Sequence, residues 1–225
     1  MEVVRGHLRR LDTVATALAG VERMYLAPVP DTVEAVVGLA REAGVRHVVD
    51  LSGEPESWWG SVTRAVEAGG VAWTHLWPGD FMENTLIWAP QIRETGRVRE
   101  PWPDAASSPV AMDDIAAVAA RALLEPGHEG RAYALTGPET STRRQLVDRI
   151  GAALGREVPF VTVSRAEAVE VLAQAMGDSA AWYVDNVLAA SAEFLVPANR
   201  VVEEVTGRPA TTFAQWAAVH ADAFR

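Results

Sequence analysis

Short apolar runs punctuated by glycine or proline alternate with segments of helical period over about the first 80 residues. Glu2–Val4 reads as a short strand ending at Gly6. "RRLDTVATALAGV" sets Leu11, Val14, Ala15 and Leu18 at helical spacing, with Gly20 placed to end the helix. "ERMYLAPV" is a strand halted by Pro28 and Pro30; "DTVEAVVGLAREAGV" is a helix that Asp31 can cap, with Gly44 beyond its end. "RHVVDLS", "WWGSVTRAVEAGG" and "VAWTHLW" repeat the pattern as strand, helix and strand, stopping at Pro78 and Gly79. Strands joined by crossover helices pair in parallel, and the helices then cover the sheet on both faces. The fold expected is therefore α/β, with a Rossmann-like parallel sheet.

Beyond Gly79 the order loosens. "FMENTLIWAPQIRETG" reads as partly helical, ended or kinked by Pro90, and "VREPWPDAASSPVAM" as a loop leading into a short strand; the stretch 100–109 is expected to order around a ligand. A helix follows in "DDIAAVAARALLE", with Asp113 or Asp114 as its N-cap. A strand follows in "GRAYALTG", a helix capped by Ser141 in "STRRQLVDRIGAALG" and a strand in "VPFVTVS". Arg165 to Arg225 is helical throughout. The division expected is a sheet core over residues 1–110, with 111–225 completing it and adding a small, mostly helical substrate-binding region.

Composition narrows the chemistry. The chain has 225 residues and a formal net charge of -10, which gives it no general attraction for nucleic acid or an anionic membrane. No cysteine is present, which excludes disulfides, thiolate nucleophiles and cysteine-based zinc sites. Lysine is missing too, which removes Schiff-base chemistry. The histidines show no metal-ligand spacing, and no apolar run approaches a membrane span, so the expectation is a cytoplasmic protein without a metal, acting on a small molecule.

In open parallel sheets, ligands bind beyond the carboxyl ends of the strands. Those ends carry "LSGEPESWW" and "LWPGDFMEN". The candidate acids, bases or nucleophiles are Ser52, Glu54, Asp80 and Glu83, with Glu56 beside them; the candidate substrate-binding residues are Trp58, Trp77, Phe81, Asn84 and the more distant Trp182. Each has a plainer role available: Ser52 bonding its own turn, Glu54 and Glu56 solvated, Asp80 capping the segment after it. His75 shares a strand face with Trp73 and Trp77, a setting that suits a core histidine better than a base. The chain carries no Gly-x-Gly-x-x-Gly, no phosphate-binding Gly-x-x-x-x-Gly-Lys, no Gly-x-Ser-x-Gly elbow and no Tyr-x-x-x-Lys pair.

Taken together, "VVRGHL…TVATALAGVERMYLAPV", "AREAGVRHVVDLSG", "GVAWTHLWPGDFMEN", "PVAMDDIAAVAARALLEPGHEGRAYALTGPE" and "TGRPATTFAQWAAVHADAF" resemble the NmrA-like atypical short-chain dehydrogenases, including their NAD(P)H:quinone oxidoreductase branch. The resemblance implies a family member in which the opening strand, glycine-rich turn, helix and second strand are missing, and "LWPG" stands where the family has "LRPG". Because that opening strand is central in the order 3-2-1-4-5-6, its loss leaves an apolar sheet edge. "MEVVRG" moving into the vacant place, or a second protomer in a homodimer, is expected to cover it. Without a glycine turn at a helix N-terminus, nucleotide affinity is expected to collapse. The function expected is accordingly a cofactor-independent isomerase, cyclase or dehydratase working by acid/base chemistry on an apolar, polyketide-like substrate. The alternatives are an NADPH-dependent quinone or enone reductase and a non-catalytic ligand sensor.

Overall fold

The structure, a computed structural model, describes residues 3–225. Its strands are β1 (Arg23–Leu26), β2 (His47–Leu51), β3 (Ala72–Pro78), β4 (Val98–Glu100), β5 (Ala106–Ser107), β6 (Arg131–Leu135), β7 (Ser141–Thr142) and β8 (Phe160–Thr162). Its helices are α1 (Leu11–Ala17), α2 (Val33–Glu42), α3 (Gly60–Ala68), α4 (Ala89–Thr95), α5 (Met112–Leu124) and α6 (Arg143–Leu154). They continue with α7 (Arg165–Met176), α8 (Ser179–Tyr183), α9 (Ala189–Glu193), α10 (Val201–Thr206) and α11 (Phe213–Val219). Two compact units result: one runs to Pro78 and takes in Ile115–Leu135, the other comprises Gly79–Asp114 and Thr136–Arg225.

The first unit is a parallel sheet in the order β1-β2-β3-β6. Asp50 lies opposite His75 and Val48 opposite Trp73 across β2 and β3, so these four side chains share a face. Val33, Val36, Val37 and Ala40 recur at helical spacing and are the buried stripe of α2. That stripe, with Val14 and Leu18 of α1 and Val62 and Val66 of α3, packs with Leu26 and Val48 of the sheet. Burying each such valine or leucine contributes roughly 1.5–3 kcal/mol. The opposite face carries Arg23, whose guanidinium donates to the Leu123 carbonyl of α5 at 2.5 Å, and Thr74, which donates to the His128 carbonyl at 2.6 Å.

The second unit has two apolar clusters. Met82, Trp88, Ile92, Leu146, Ile150 and Trp216 belong to the larger. Ala168, Leu172, Ala180, Val184 and Leu188 form the smaller, against which Ile87, Trp102 and Tyr183 pack. The chain turns π-helical over Val184–Leu188, directly after α8. Two short ladders brace the unit: β4 with β8 in parallel, and β5 with β7 antiparallel.

Several local expectations shift. Glu2 lies outside the described residues, and Val3 and Val4 belong to no strand and are 80% and 45% exposed. Of "MEVVRG", the described residues Val3 to Gly6 therefore do not enter the sheet, and Met1 and Glu2 lie outside the described residues. The segment folds locally instead, with the His7 N–H donating to Thr13 Oγ1 at 3.0 Å and the Arg9 N–H to His7 Nδ1 at 3.0 Å. Among the described residues β1 is an edge strand, its Tyr25 41% exposed.

Asp31 caps nothing; it lies in a 3₁₀ turn and pairs with Arg9 at 3.4 Å. A 3₁₀ helix over Met82–Trp88 stops just before Pro90, which then lies in the first turn of α4, where its missing N–H has no helical partner anyway. Thr142, not Ser141, caps α6, in a reciprocal box with Gln145. Asp113 and Asp114 lie inside the first turn of α5. Buried Asp114 accepts from the Thr211 N–H at 2.7 Å and pairs with Arg208 at 3.0 Å, tying α5 to the C-terminal segment.

Candidate functional site

In the first unit, Ser52 follows β2 and is buried, its N–H bonded to the Leu76 carbonyl at 3.0 Å. Thr63 of α3 donates to the Gly53 carbonyl at 2.6 Å and sits 3.2 Å from Ser52 Oγ. Glu54 and Glu56 are exposed on the turn that follows, as is Trp58, whose ring leans on Trp59 at 4.6 Å. Trp77 is half-buried, and its indole N–H has no partner. Beneath α3 lies a pair of fully buried groups: Asp50 Oδ2 stands 2.7 Å from His75 Nδ1. His75 is sandwiched between the rings of Trp73 and Trp77, at 4.2 and 6.0 Å.

In the second unit, the segment just past β3 brings four of the candidates together. Phe81 bridges to Val110, and Val110 N–H donates to the Asp80 carbonyl at 2.8 Å, which fixes Asp80 in place. Asp80 accepts from Asn84 Nδ2 at 2.8 Å and from Ser107 Oγ at 3.0 Å. Glu83 is occupied with structure: it accepts from the Met112 N–H at 3.2 Å and from the Trp216 indole at 3.0 Å, joining α5 to α11. Trp182 is 56% exposed.

Three polar groups that sequence reasoning passed over complete this region. Glu100 of β4 is fully buried and accepts from Arg143 Nε at 2.5 Å and from the Trp88 indole at 3.0 Å. Arg143, 14% exposed, opens α6 and holds its guanidinium over the Trp88 ring at 5.4 Å. Its Nε is used by Glu100, while its two terminal nitrogens have no hydrogen-bond partner among the described residues. Burial disfavours its charge, but Glu100 more than offsets this and keeps it cationic. Tyr183 is half-buried at the end of α8, where the π-helical turn begins, and its hydroxyl has no partner among the described residues. Burial pushes its pKa up to about 12 against the pull of Arg143, so the phenol stays a neutral donor; the charges of Glu100 and Asp80 also reach it.

No family model matches the chain. It is 36% identical over 240 residues to the NAD(P)H azoreductase of Xenophilus azovorans, covering 100% of this chain and 84% of the relative. It is 37% identical over 242 residues to the (4-alkanoyl-5-oxo-2,5-dihydrofuran-3-yl)methyl phosphate reductase of Streptomyces griseus, with the same 100% and 84% coverage. The chain belongs to the NmrA-like atypical short-chain dehydrogenase family. The NADPH-dependent quinone oxidoreductase of Escherichia coli, solved with NADPH, shares this NmrA-like fold with a TM-score of 0.84 at 24% identity, over 97% of this chain and 83% of that one. A triphenylmethane reductase from Citrobacter shares it at 0.85 and 19% identity, over 98% and 83%.

These NmrA-like relatives correct two expectations. A redox-neutral isomerase, cyclase or dehydratase does not fit a chain that matches named reductases along its whole length. Nor does an enzyme without a cofactor, since one of those relatives is an NAD(P)H azoreductase. The glycine-rich motif specifies only how the pyrophosphate is held, not whether the chemistry uses a nucleotide.

That pyrophosphate needs a fan of backbone N–H groups at a helix start. Two of the helices that follow strands of the parallel sheet, α2 and α3, do not offer one. A 3₁₀ turn with proline at its start leads into α2. The start of α3 is closed by its own preceding loop: a Cβ on Gly60 would lie 2.0 Å from the Pro55 carbonyl oxygen. Neither of these two helix starts is therefore placed to hold the pyrophosphate of a nicotinamide nucleotide. The described residues form no group of three His, Cys, Asp or Glu able to hold a metal ion, and no described helix is long and apolar enough to cross a membrane.

Proposed function

We propose that the protein is an NAD(P)H-dependent reductase of a small conjugated acceptor of the quinone or enone type. The observation that carries this reading is the match to two named reductases at 36% and 37% identity across the full chain. Side chains of the second unit support this reading on the acceptor's side. A reducible acceptor needs an apolar wall and a few fixed polar groups. The second unit supplies Trp102 and Tyr183 packed on one apolar cluster, and Asp80 oriented by Asn84 and Ser107. Arg143 adds a desolvated cation that Glu100 and the Trp88 ring hold in place. Ser52, Glu54 and Glu83 are left without a chemical role in this reading: the first two belong to the turn after β2, and Glu83 is held by Met112 and Trp216.

The test is loss of the reduced-nicotinamide absorbance with purified protein, NADPH or NADH, and a panel of acceptors: menadione, cyclohexenone and an azo dye. The reading expects oxidation that depends on both protein and acceptor. No oxidation with any acceptor at millimolar nucleotide would refute it.

A further inference from the structure

His47 opens β2 and is 3% exposed. The hydrogen bonds around it fix where its ring proton sits. Thr74 Oγ1, on buried Thr74 of β3, donates its one hydrogen to the His128 carbonyl at 2.6 Å. The same oxygen lies 2.9 Å from His47 Nε2, and with its hydrogen already used it can only accept there. His47 is therefore the tautomer with its proton on Nε2. That leaves a lone pair on Nδ1, which is buried and has no hydrogen-bond partner among the described residues.

The chain from His47 through Thr74 to the His128 carbonyl ties residues 125–130, the connection between α5 and β6, to the sheet. The Gly130 N–H adds a bond to the Trp73 carbonyl at 2.7 Å. Other bonds of the connection stay within it or run to β6. The Gly127 N–H donates to Glu129 and Arg131 Nε to the Gly127 carbonyl, both at 3.0 Å, and His128 Nδ1 lies 2.8 Å from the Tyr133 hydroxyl.

A second proton on His47 has no acceptor to point at. A buried cation without a partner is costly. Arg23 stands directly opposite His47 across β1 and β2, so its cross-strand neighbour is already positive. Arg131 of β6 stands opposite Thr74, and Tyr133, two residues on, is kept neutral by burial. The carboxylate acting on His47 is that of Glu129, which is exposed and belongs to the connection itself. Burial holds the His47 pKa below its usual 6.5; Glu129 works against this, and Arg23 and His128 add to it.

We propose that His47, Thr74 and the His128 carbonyl form an acid-released latch, in which a proton taken up at His47 Nδ1 frees residues 125–130 from the sheet and lets the imidazolium reach water. The opening stops at α5, because Arg23 holds the Leu123 carbonyl at 2.5 Å through a bond with no titrating group in it. The latch lies in the first unit and stands whether or not the chain is a reductase.

The experiment is amide hydrogen exchange of the full chain by NMR at about pH 7.5 and about pH 5.5, corrected for the intrinsic pH dependence of exchange, together with the nitrogen shifts of the His47 ring. Wild type is expected to show the Nε2–H tautomer at the higher pH. At the lower pH, protection of the Gly130 and Arg131 amides is expected to fall about tenfold, the value of one hydrogen bond, while Val48 and Val49 of β2 hold theirs. His47→Gln, whose amide can donate to Thr74 but takes up no proton, is expected to keep its protection at both pH values. Thr74→Val, of nearly the same shape, is expected to lose it already at the higher pH. An Nδ1–H tautomer, unchanged wild-type protection, an equal acid loss in His47→Gln, full protection in Thr74→Val, or a loss shared by β2 would each overturn the latch. Wild type and His47→Gln decide even if Thr74→Val folds poorly.

Discussion

Replacing Glu100 with glutamine tests the buried ion pair of the second unit. The carboxylate is fully buried, accepts from Arg143 Nε at 2.5 Å and from the Trp88 indole at 3.0 Å, and has no solvent to fall back on. An amide of the same shape leaves no cavity. Its oxygen can keep the Trp88 bond, but its NH₂ then faces the Arg143 Nε–H, donor against donor. Arg143, only 14% exposed, is left as an uncompensated cation. Breaking a buried pair from one side costs about 3–5 kcal/mol. For a chain of this length each kcal/mol moves the melting temperature by roughly 2–4 °C, so Glu100→Gln is expected to melt about 6–20 °C lower. Thermal unfolding followed by circular dichroism, with a guanidinium titration for the free energy, measures both. The apolar double variant Glu100→Leu with Arg143→Met is expected to recover most of the loss, because neither charge then remains to be desolvated. A drop below about 1 kcal/mol in Glu100→Gln would refute the claim that this pair is buried and mutually dependent.

Other expectations follow from the same physics. Because Tyr183 holds its proton to about 12 against an ordinary 10.0, the folded state loses stability as pH rises from 10 toward 12; Tyr183→Phe removes that part of the alkaline loss and the last step of the tyrosinate absorbance titration. Burial pushes His47 below its usual 6.5, so the unfolded chain takes up the proton first and stability falls as pH drops below 6.5; His47→Gln, able to keep the 2.9 Å contact with Thr74, is expected to flatten that acid slope in urea titrations. A Cβ on Gly137 would stand 2.1 Å from the Pro109 carbonyl oxygen, so Gly137→Ala is expected to lose about 1–3 kcal/mol or more in a denaturant melt, and an unchanged midpoint would contradict that close approach.

The parts of this fold that were legible in the sequence are those set by local pattern. Val33, Val36, Val37 and Ala40 announce α2 by spacing alone, and Pro78 and Gly79 mark the end of β3. A cap signal depends on one residue of choice, and Thr142, not Ser141, caps α6; on α8 the exposed Trp182 stands beside the half-buried Tyr183. Neighbouring helical residues point about 100° apart, so an error of one position exchanges an exposed side chain for a packed one. The pairing of Glu100 with Arg143 spans 43 residues and has no local signature; a glutamate at the end of a three-residue strand looks like a solvated edge until β8 pairs beside it. Asp80 and Asn84 each stand out in the sequence because they lie just past a sheet strand, but that they bond each other shows only in the structure.

The cofactor was misjudged for a different reason. A missing cradle argues about affinity for one part of a nucleotide, while the rest of the chain records which chemistry the fold serves. The likeness to reductases runs through both units and outweighs a single motif.

The central claim, that this protein passes hydride to a conjugated acceptor, is tested most directly by following the hydrogen itself. NADPH deuterated at the transferring carbon of its nicotinamide would be incubated with the protein and cyclohexenone, and the product examined by mass spectrometry. The account predicts cyclohexanone carrying one deuterium at the carbon β to the carbonyl. Unreduced enone, or a reduced product without the label, would contradict it.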